Sequence, residues 1–266
     1  TLSYNLVEAN PNSCWWTING GITNNSVTCG QATAMTAAQG TNTLTVYAID
    51  AVGHINSSSV TFYVDGTAPD VSFVSPTENN GAYLNRKNIL INVAASDSGT
   101  GLKNVTVYFY NSTGLVSSTT TSSGNNFVNI TNLADGAYSF NAIASDLLGN
   151  TNSTETRNVI IDTINFTVSM TQVYVDKNTT QIKVSAIDTN FNGTCVANRG
   201  VFNPGSMIIT DNGVSCDSIY NYTLTCWDLA GNSGAANASF STASCLSGSS
   251  YTGGGGGGSS GEKMWI

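Results

Sequence analysis

One stretch of this sequence occurs three times, and it constrains the fold class more than any other feature. Val46-Tyr47-Ala48-Ile49-Asp50-Ala51-Val52-Gly53-His54 returns as Phe140-Asn141-Ala142-Ile143-Ala144-Ser145-Asp146-Leu147-Leu148-Gly149-Asn150. It returns again as Leu224-Thr225-Cys226-Trp227-Asp228-Leu229-Ala230-Gly231-Asn232. Each copy alternates apolar and polar residues as a half-buried strand does, then turns at Asp-x-x-Gly-Asn, with His for Asn in the first copy. The three Asp residues lie 96 and then 82 positions apart (146 − 50 and 228 − 146). That spacing is the size of a small β-sandwich domain, and a repeat at that interval is the mark of a tandem array.

Period-2 alternation runs through the rest of the chain, with no helical stripe of more than two turns. Strands are expected at Leu2–Val7, Trp15–Ile18, Thr43–Ile49 and Val60–Val64 in the first unit. The second unit supplies Val71–Val74, Ile89–Ala95, Val105–Tyr110, Phe127–Ile130, Tyr138–Ala144 and Asn158–Ile161. The third supplies Asn165–Met170, Gln181–Ile187, Met207–Thr210, Tyr220–Trp227 and Ala238–Ser241. The 266 residues therefore divide into a partial domain over 1–66, complete domains over 67–162 and 163–246, and a tail over 247–266. The first unit reads as lacking its first strand, so the chain is expected to be a piece of a longer protein. The tail, with six consecutive glycines, reads as a flexible linker.

Composition narrows the function classes. Only 9% of residues are charged, and 16 acidic against 8 basic residues leave a net charge of −8. Nucleic acid is excluded as a partner because no basic patch exists to displace its counterions. No apolar run is long enough to span a bilayer, so these residues insert in no membrane. The single histidine, His54, occupies the Asn position of a repeated turn, which leaves no Ser-His-Asp or His-metal constellation. No enzyme activity is expected. Tyr108, Tyr110, Tyr174 and Trp227 are read as sheet aromatics, with sugar stacking as the functional alternative.

Three quoted segments carry a family resemblance: Asp65-Gly66-Thr67-Ala68-Pro69-Asp70-Val71-Ser72-Phe73-Val74-Ser75-Pro76, then Ala94-Ala95-Ser96-Asp97-Ser98-Gly99-Thr100-Gly101-Leu102, then Ala142 to Asn150. Together they resemble the Ig-like repeats of large bacterial and archaeal cell-surface proteins, over nearly all of 67–162 and the latter halves of the flanking units. The resemblance implies an all-β chain of three tandem Ig-like antiparallel β-sandwiches with a flexible Gly/Ser-rich C-terminal tail. It also implies an extracellular, archaeal or bacterial cell-surface setting.

Six cysteines in a low-charge exported chain read as three disulfides. Cys14 and Cys29 flank a hairpin turning at Asn19-Gly20-Gly21 and pair across it, with one of Trp15 and Trp16 directed inward. In the third unit sandwich topology favours Cys216–Cys245 and Cys195–Cys226, with Cys195–Cys216 as the rival. Asn-x-Ser/Thr occurs at Asn24, Asn56, Asn104, Asn111, Asn129, Asn152, Asn165, Asn178, Asn192, Asn221 and Asn237. Since 33 Asn and 66 Ser plus Thr give about eight by chance, the exported setting argues for glycosylation more than the count does.

The same topology sends acidic residues to common poles. Asp65, Asp97 and Asp146 should converge at one end of the second unit, and Asp162, Asp188 and Asp228 at the same end of the third. Two readings stay open: each Asp caps a turn through backbone N–H groups, or each triad holds Ca2+. Neither makes a cofactor a requirement of the fold. The function expected is that of an extracellular structural protein, the repeating subunit of a filament, stalk or surface layer. Its partners would be copies of itself, joined by strand donation at the first unit, and glycans or other cells. The runner-up is an adhesion or carbohydrate-binding module, or the non-catalytic spacer of an exported enzyme.

Overall fold

The computed structural model describes residues 1–246, and the Gly/Ser-rich tail read from the sequence lies outside them. Every regular element among the described residues is a β-strand. By their contacts the residues divide into two compact units, 1–82 with 87–161, and 83–86 with the chain from Asp162 onward.

The first unit opens with β1 (Pro11–Ile18), β2 (Asn25–Val27), β3 (Gly40–Asp50) and β4 (Ile55–Val64), which form one antiparallel sheet in the order β2-β1-β3-β4. Alternation assigns the faces. Trp16, Leu44 and Leu2 are buried together on one side, while Trp15 goes to the other and stacks on Tyr47 at 5.3 Å. Leu2–Val7, expected as a strand, makes a single bridge from Leu2 to Thr33 and otherwise runs as irregular chain. Its period-2 pattern is real, but it lines a groove with β3 and β4 and pairs with neither.

The chain continues through β5 (Asp70–Phe73), β6 (Ala82–Leu84), β7 (Asn88–Ser96), β8 (Leu102–Asn111), β9 (Gly114–Thr121), β10 (Asn125–Thr131), β11 (Gly136–Asp146), β12 (Thr151–Ser153) and β13 (Arg157–Ile161), of which all but β6 lie wholly in the first unit. One sheet runs β10-β7-β5, the other β13-β11-β8-β9 with β12 beside β11. Their facing residues alternate into a closed core. Ile89, Ile91 and Val93 of β7 and Val105, Phe109, Phe140 and Ala142 of the other sheet have no exposed surface. Phe73 meets Phe140 edge-on at 5.3 Å across the layers. Each large apolar side chain so buried contributes about 1.5–3 kcal/mol.

The second unit holds β14 (Thr167–Val175), β15 (Thr180–Ile187), β16 (Phe191–Ala197), β17 (Val201–Asn203), β18 (Ile208–Asp211), β19 (Ile219–Asp228) and β20 (Ser233–Ser241). Its sheets run β14-β15-β18-β17 and β16-β19-β20, enclosing Ile182, Val184, Ile209, Tyr222, Leu224 and Cys226. At Gly234 on β20 the backbone around Phe166 comes close, since a Cβ there would overlap the carbonyl of Phe166. A charged network sits inside this unit. Asp211 accepts from the Tyr222 hydroxyl at 2.8 Å and from Arg199 Nε at 3.0 Å. Burial beside that carboxylate pushes the Tyr222 hydroxyl up to about 12.

Disulfides join Cys14 to Cys29, Cys195 to Cys226 and Cys216 to Cys245. Cys195 and Cys226 stand directly opposite each other on β16 and β19, where the ladder brings their side chains to one face. Closing a loop with a sequence separation of 31 removes about 3–4 kcal/mol of chain entropy from the unfolded state.

Candidate functional site

The repeated turn is built by one carboxylate. In Asp146 the side chain folds back over its own turn: Oδ1 accepts from the backbone N–H of Leu148 at 2.9 Å, Gly149 at 2.6 Å and Asn150 at 2.8 Å. Oδ2 accepts from Asn150 Nδ2 at 2.6 Å. Gly149 sits at φ +94, a conformation that disfavours a Cβ, which is why the motif spells Gly at that position. Asp228 is arranged alike, accepting from Asn232 N at 2.8 Å and Asn232 Nδ2 at 2.9 Å. In the first copy Asp50 accepts from Val52 N and His54 N, and His54 Nδ1 stands 3.0 Å from Asp50 Oδ2 in the place of the missing amide. The histidine is thus a turn residue.

Asn150 and Asn232 do a second job with the remaining amide hydrogen. Asn150 Nδ2 donates to the carbonyl of Asp65 at 2.9 Å, and Asn232 Nδ2 to the carbonyl of Asp162 at 2.8 Å. Each turn therefore grips the backbone of the strand exit that precedes its own domain. The Asp65 carboxylate closes the grip from the other side. It accepts from Gln39 Nε2 at 2.7 Å, from Thr67 N and Oγ1 at 3.1 and 2.7 Å, and from Thr100 N and Oγ1 at 2.6 and 2.9 Å. Asp97 holds the loop that presents Thr100, accepting from Gly99 N at 2.9 Å and Gly101 N at 2.8 Å. Gly99 lies so close under Asp65 that a Cβ on it would overlap the carboxylate.

Asp65, Asp97 and Asp146 thus come together with carboxylate oxygens within 4.8 Å of one another, and so do Asp162, Asp188 and Asp228. In each triad two members are buried and one is half-buried. The second triad is simpler. Asp162 accepts from Ile164 N at 3.2 Å and Asn190 Nδ2 at 2.6 Å, and Asp188 accepts from Asn190 N at 2.6 Å. All six carboxylates accept at least one backbone N–H, while one oxygen each of Asp97 and Asp188 carries no hydrogen bond among the described residues.

These bonds set the charge states. The Thr67 hydroxyl and the Thr100 N–H hold Asp65 well below the usual carboxylate range. Burial works against the charge of Asp146, yet the Asn150 amide and the three turn N–H groups keep it below its ordinary value. The His54 N–H lowers Asp50 likewise.

The other residues singled out in the sequence are scattered. Ten of the eleven sequon asparagines are exposed and Asn104 is half-buried. Asn152 Nδ2 is engaged with the Pro69 carbonyl at 3.0 Å, and Asn192 Nδ2 with the Asp228 carbonyl at 3.4 Å. Tyr108 and Tyr110 are half-buried on β8, Tyr174 is exposed and donates to Asp176 at 3.0 Å, and Trp227 is half-buried beside Asp228. The sequence did not point to Gln39, Thr67, Gly99 and Thr100 as a set; the Asp97-Ser98-Gly99-Thr100-Gly101 run was the one visible signal.

Two outcomes follow from this geometry. Gly99→Ala should destabilise the first unit by about 1–3 kcal/mol, because the methyl group and the Asp65 carboxylate cannot both keep their places, whereas Gly66→Ala should cost far less. Thermal melts of the two variants check this. The folded pKa values of Asp65 and Asp146 lie below the unfolded value near 3.9, so their contribution is full above about pH 5 and is lost as pH falls below about 4. Melting temperature against pH should fall steeply there, and less steeply in Asp65→Asn.

Residues 69–142 match the family described as the bacterial Ig domain. Among solved structures, fibronectin(III)-like modules of Clostridium thermocellum CbhA align with 67% of this chain and 97% of theirs, at 21% identity and a TM-score of 0.39. A tetra-tandem repeat from the extending region of a large adhesion protein aligns over 86% of this chain and 67% of its own, at 18% identity and 0.35. A 1.5-MDa bacterial ice-binding adhesin aligns over 87% and 86%, at 12% identity and 0.35. No curated protein matches the chain. Residues 69–142 are thus similar to a bacterial Ig domain, within a chain whose all-β, Ig-like architecture repeats the turn of that segment on either side of it.

Proposed function

We propose that this chain is an extracellular structural protein, a run of Ig-like domains that serves as the repeating subunit of a cell-surface filament, stalk or surface layer. The observation that carries the reading is the use made of its most elaborate polar residues. Asp65, Asp146, Asn150 and Thr100 fix where a bacterial Ig domain begins, and Asp162, Asp228 and Asn232 repeat the device. Side chains arranged to set the start of domains serve shape rather than turnover. Three disulfides suit an oxidising exterior, and exposed sequons suit N-glycans there. The reading assigns the chain no catalysis. Its test is antibody labelling and external protease treatment of intact native cells. Labelling and shaving without lysis support it, and a signal that needs lysis overturns it. Binding of the purified chain to glycans or other cells would instead favour the adhesion module.

A second reading attaches to the triads. Three carboxylates whose oxygens lie within 4.8 Å are a hard-cation donor set, and each triad retains an oxygen free of hydrogen bonds on Asp97 or Asp188. We propose that Ca2+ binds there as a stiffener of a turn that already folds on its own hydrogen bonds. At a hundred times its dissociation constant such an ion adds about 2.7 kcal/mol. Millimolar CaCl2 should therefore raise the melting temperature of chelator-treated protein, and Asp97→Asn should lower the gain. A melting temperature indifferent to Ca2+ leaves turn capping as the whole role of the triads.

A further inference from the structure

The two disulfides of the second unit cross. Cys195 joins Cys226 and Cys216 joins Cys245, so the loop closed by each bond contains one end of the other. From Cys195 to Cys245 the backbone runs 50 residues (245 − 195), through β17, β18, β19 and β20. The covalent route is far shorter. It crosses from Cys195 to Cys226, returns 10 residues to Cys216 (226 − 216), mostly along β19, and crosses again to Cys245.

The strand on that route is the one best fitted to bear tension. β19 is central in the order β16-β19-β20, with a ladder on each side, and its Tyr222, Leu224 and Cys226 are buried in the core. β20 is an outer strand that pairs in this sheet with β19 alone. A pull where the chain leaves β20 would open that ladder from the Ile219–Ser241 rung, one pair at a time. The Cys216–Cys245 bond lies just beyond that rung and closes the ladder's open end. Across the same gap Asp217 N donates to the Ala243 carbonyl at 3.0 Å, and Cys245 N to Asp217 Oδ2 at 2.9 Å. β19 is also extended already. A strand rises about 3.3 Å per residue, against about 3.3–3.6 Å for a fully stretched chain, so tension draws almost no length from it.

We infer that residues 195–245 form a covalent tension link. A pull along the chain passes over the two bridges and through β19, while β17, β18 and β20 lie in slack arcs on either side. Fully stretched, the covalent route measures about 42–45 Å, being ten residues and bridge Cα–Cα spans of 4.0 and 5.2 Å. Without the bridges the 50 residues would reach about 165–180 Å. Under strong tension β14 and β15 can be drawn out, but the centre of the second unit keeps its length.

This inference rests on the reading of the chain as a surface structure that carries tension from end to end. It is tested on the full chain, held by tags at both ends in an optical trap, with Cys14→Ser/Cys29→Ser so that only the two crossed disulfides remain. Length at full extension does not depend on whether the first sheet folds in that variant. Dithiothreitol should add about 120–135 Å to it. Adding Cys216→Ser/Cys245→Ser leaves 19 residues (245 − 226) between the Cys195–Cys226 bridge and Cys245, and should lengthen the oxidised chain by about 25 Å. A full extension that reduction leaves unchanged overturns the link, as does peptide mapping of the oxidised chain that joins Cys195 to Cys216. A chain labelled on intact cells whose extension ignores reduction would remove the link and leave the surface reading standing.

Discussion

A buried carboxylate must find donors, and Asp146 finds four of them within its own turn. The hydrogen bonds around Asp65 and Asp146 depend on that demand. Three backbone N–H groups must point inward, which bends the chain through a positive φ and places Gly at the third position after the Asp. An amide must follow immediately, because the second oxygen needs a donor that backbone geometry does not supply. That amide has two hydrogens, and the second reaches the Asp65 carbonyl. Local turn chemistry and the seating of the preceding strand are therefore one hydrogen-bond system, and a change to either propagates to the other.

The repeats diverge most where their packing differs. In the sandwiches of the central domain and of the second unit, two sheets face each other over fully buried aliphatic and aromatic side chains. The sheet at residues 11–64 has the same strand pattern, yet Leu2, Trp16 and Leu44 are its buried cluster and apolar grooves remain on that face. Cys14–Cys29 stiffens the thinly packed sheet, and the second unit has two disulfides in addition to a full core.

Much of this was legible in the sequence, and for a definite reason. Alternation and turn chemistry are local, so the strands at Val46–Asp50, Phe140–Asp146 and Leu224–Asp228 and their turns could be read directly. Asp97 and Asp188 end strands that a sandwich returns to the same pole, which is how topology alone placed them beside Asp146 and Asp228. What escaped is non-local or negative. Gln39 and Thr100 reach Asp65 from 26 and 35 residues away, and no spacing rule connects them. Arg199, Asp211 and Tyr222 belong to three strands or loops and meet only in the folded core. Leu2–Val7 alternates like a strand but pairs only through the Leu2–Thr33 bridge, and a pattern cannot report whether a ladder forms.

The lock at Asp65 divides its parts unevenly along the gene. Thr100, Asp146 and Asn150 are encoded within the central domain, but the carboxylate and the carbonyl they hold belong to the last residue before the linker, and Gln39 belongs to the sheet before that. A recombination event that transfers the Ig domain from its first strand onward would leave its lock without the anion it was built around. The heritable module is therefore longer than the domain. It begins upstream, at the Asp65 whose carbonyl Asn150 holds, as Asp162 is held by Asn232 in the next repeat.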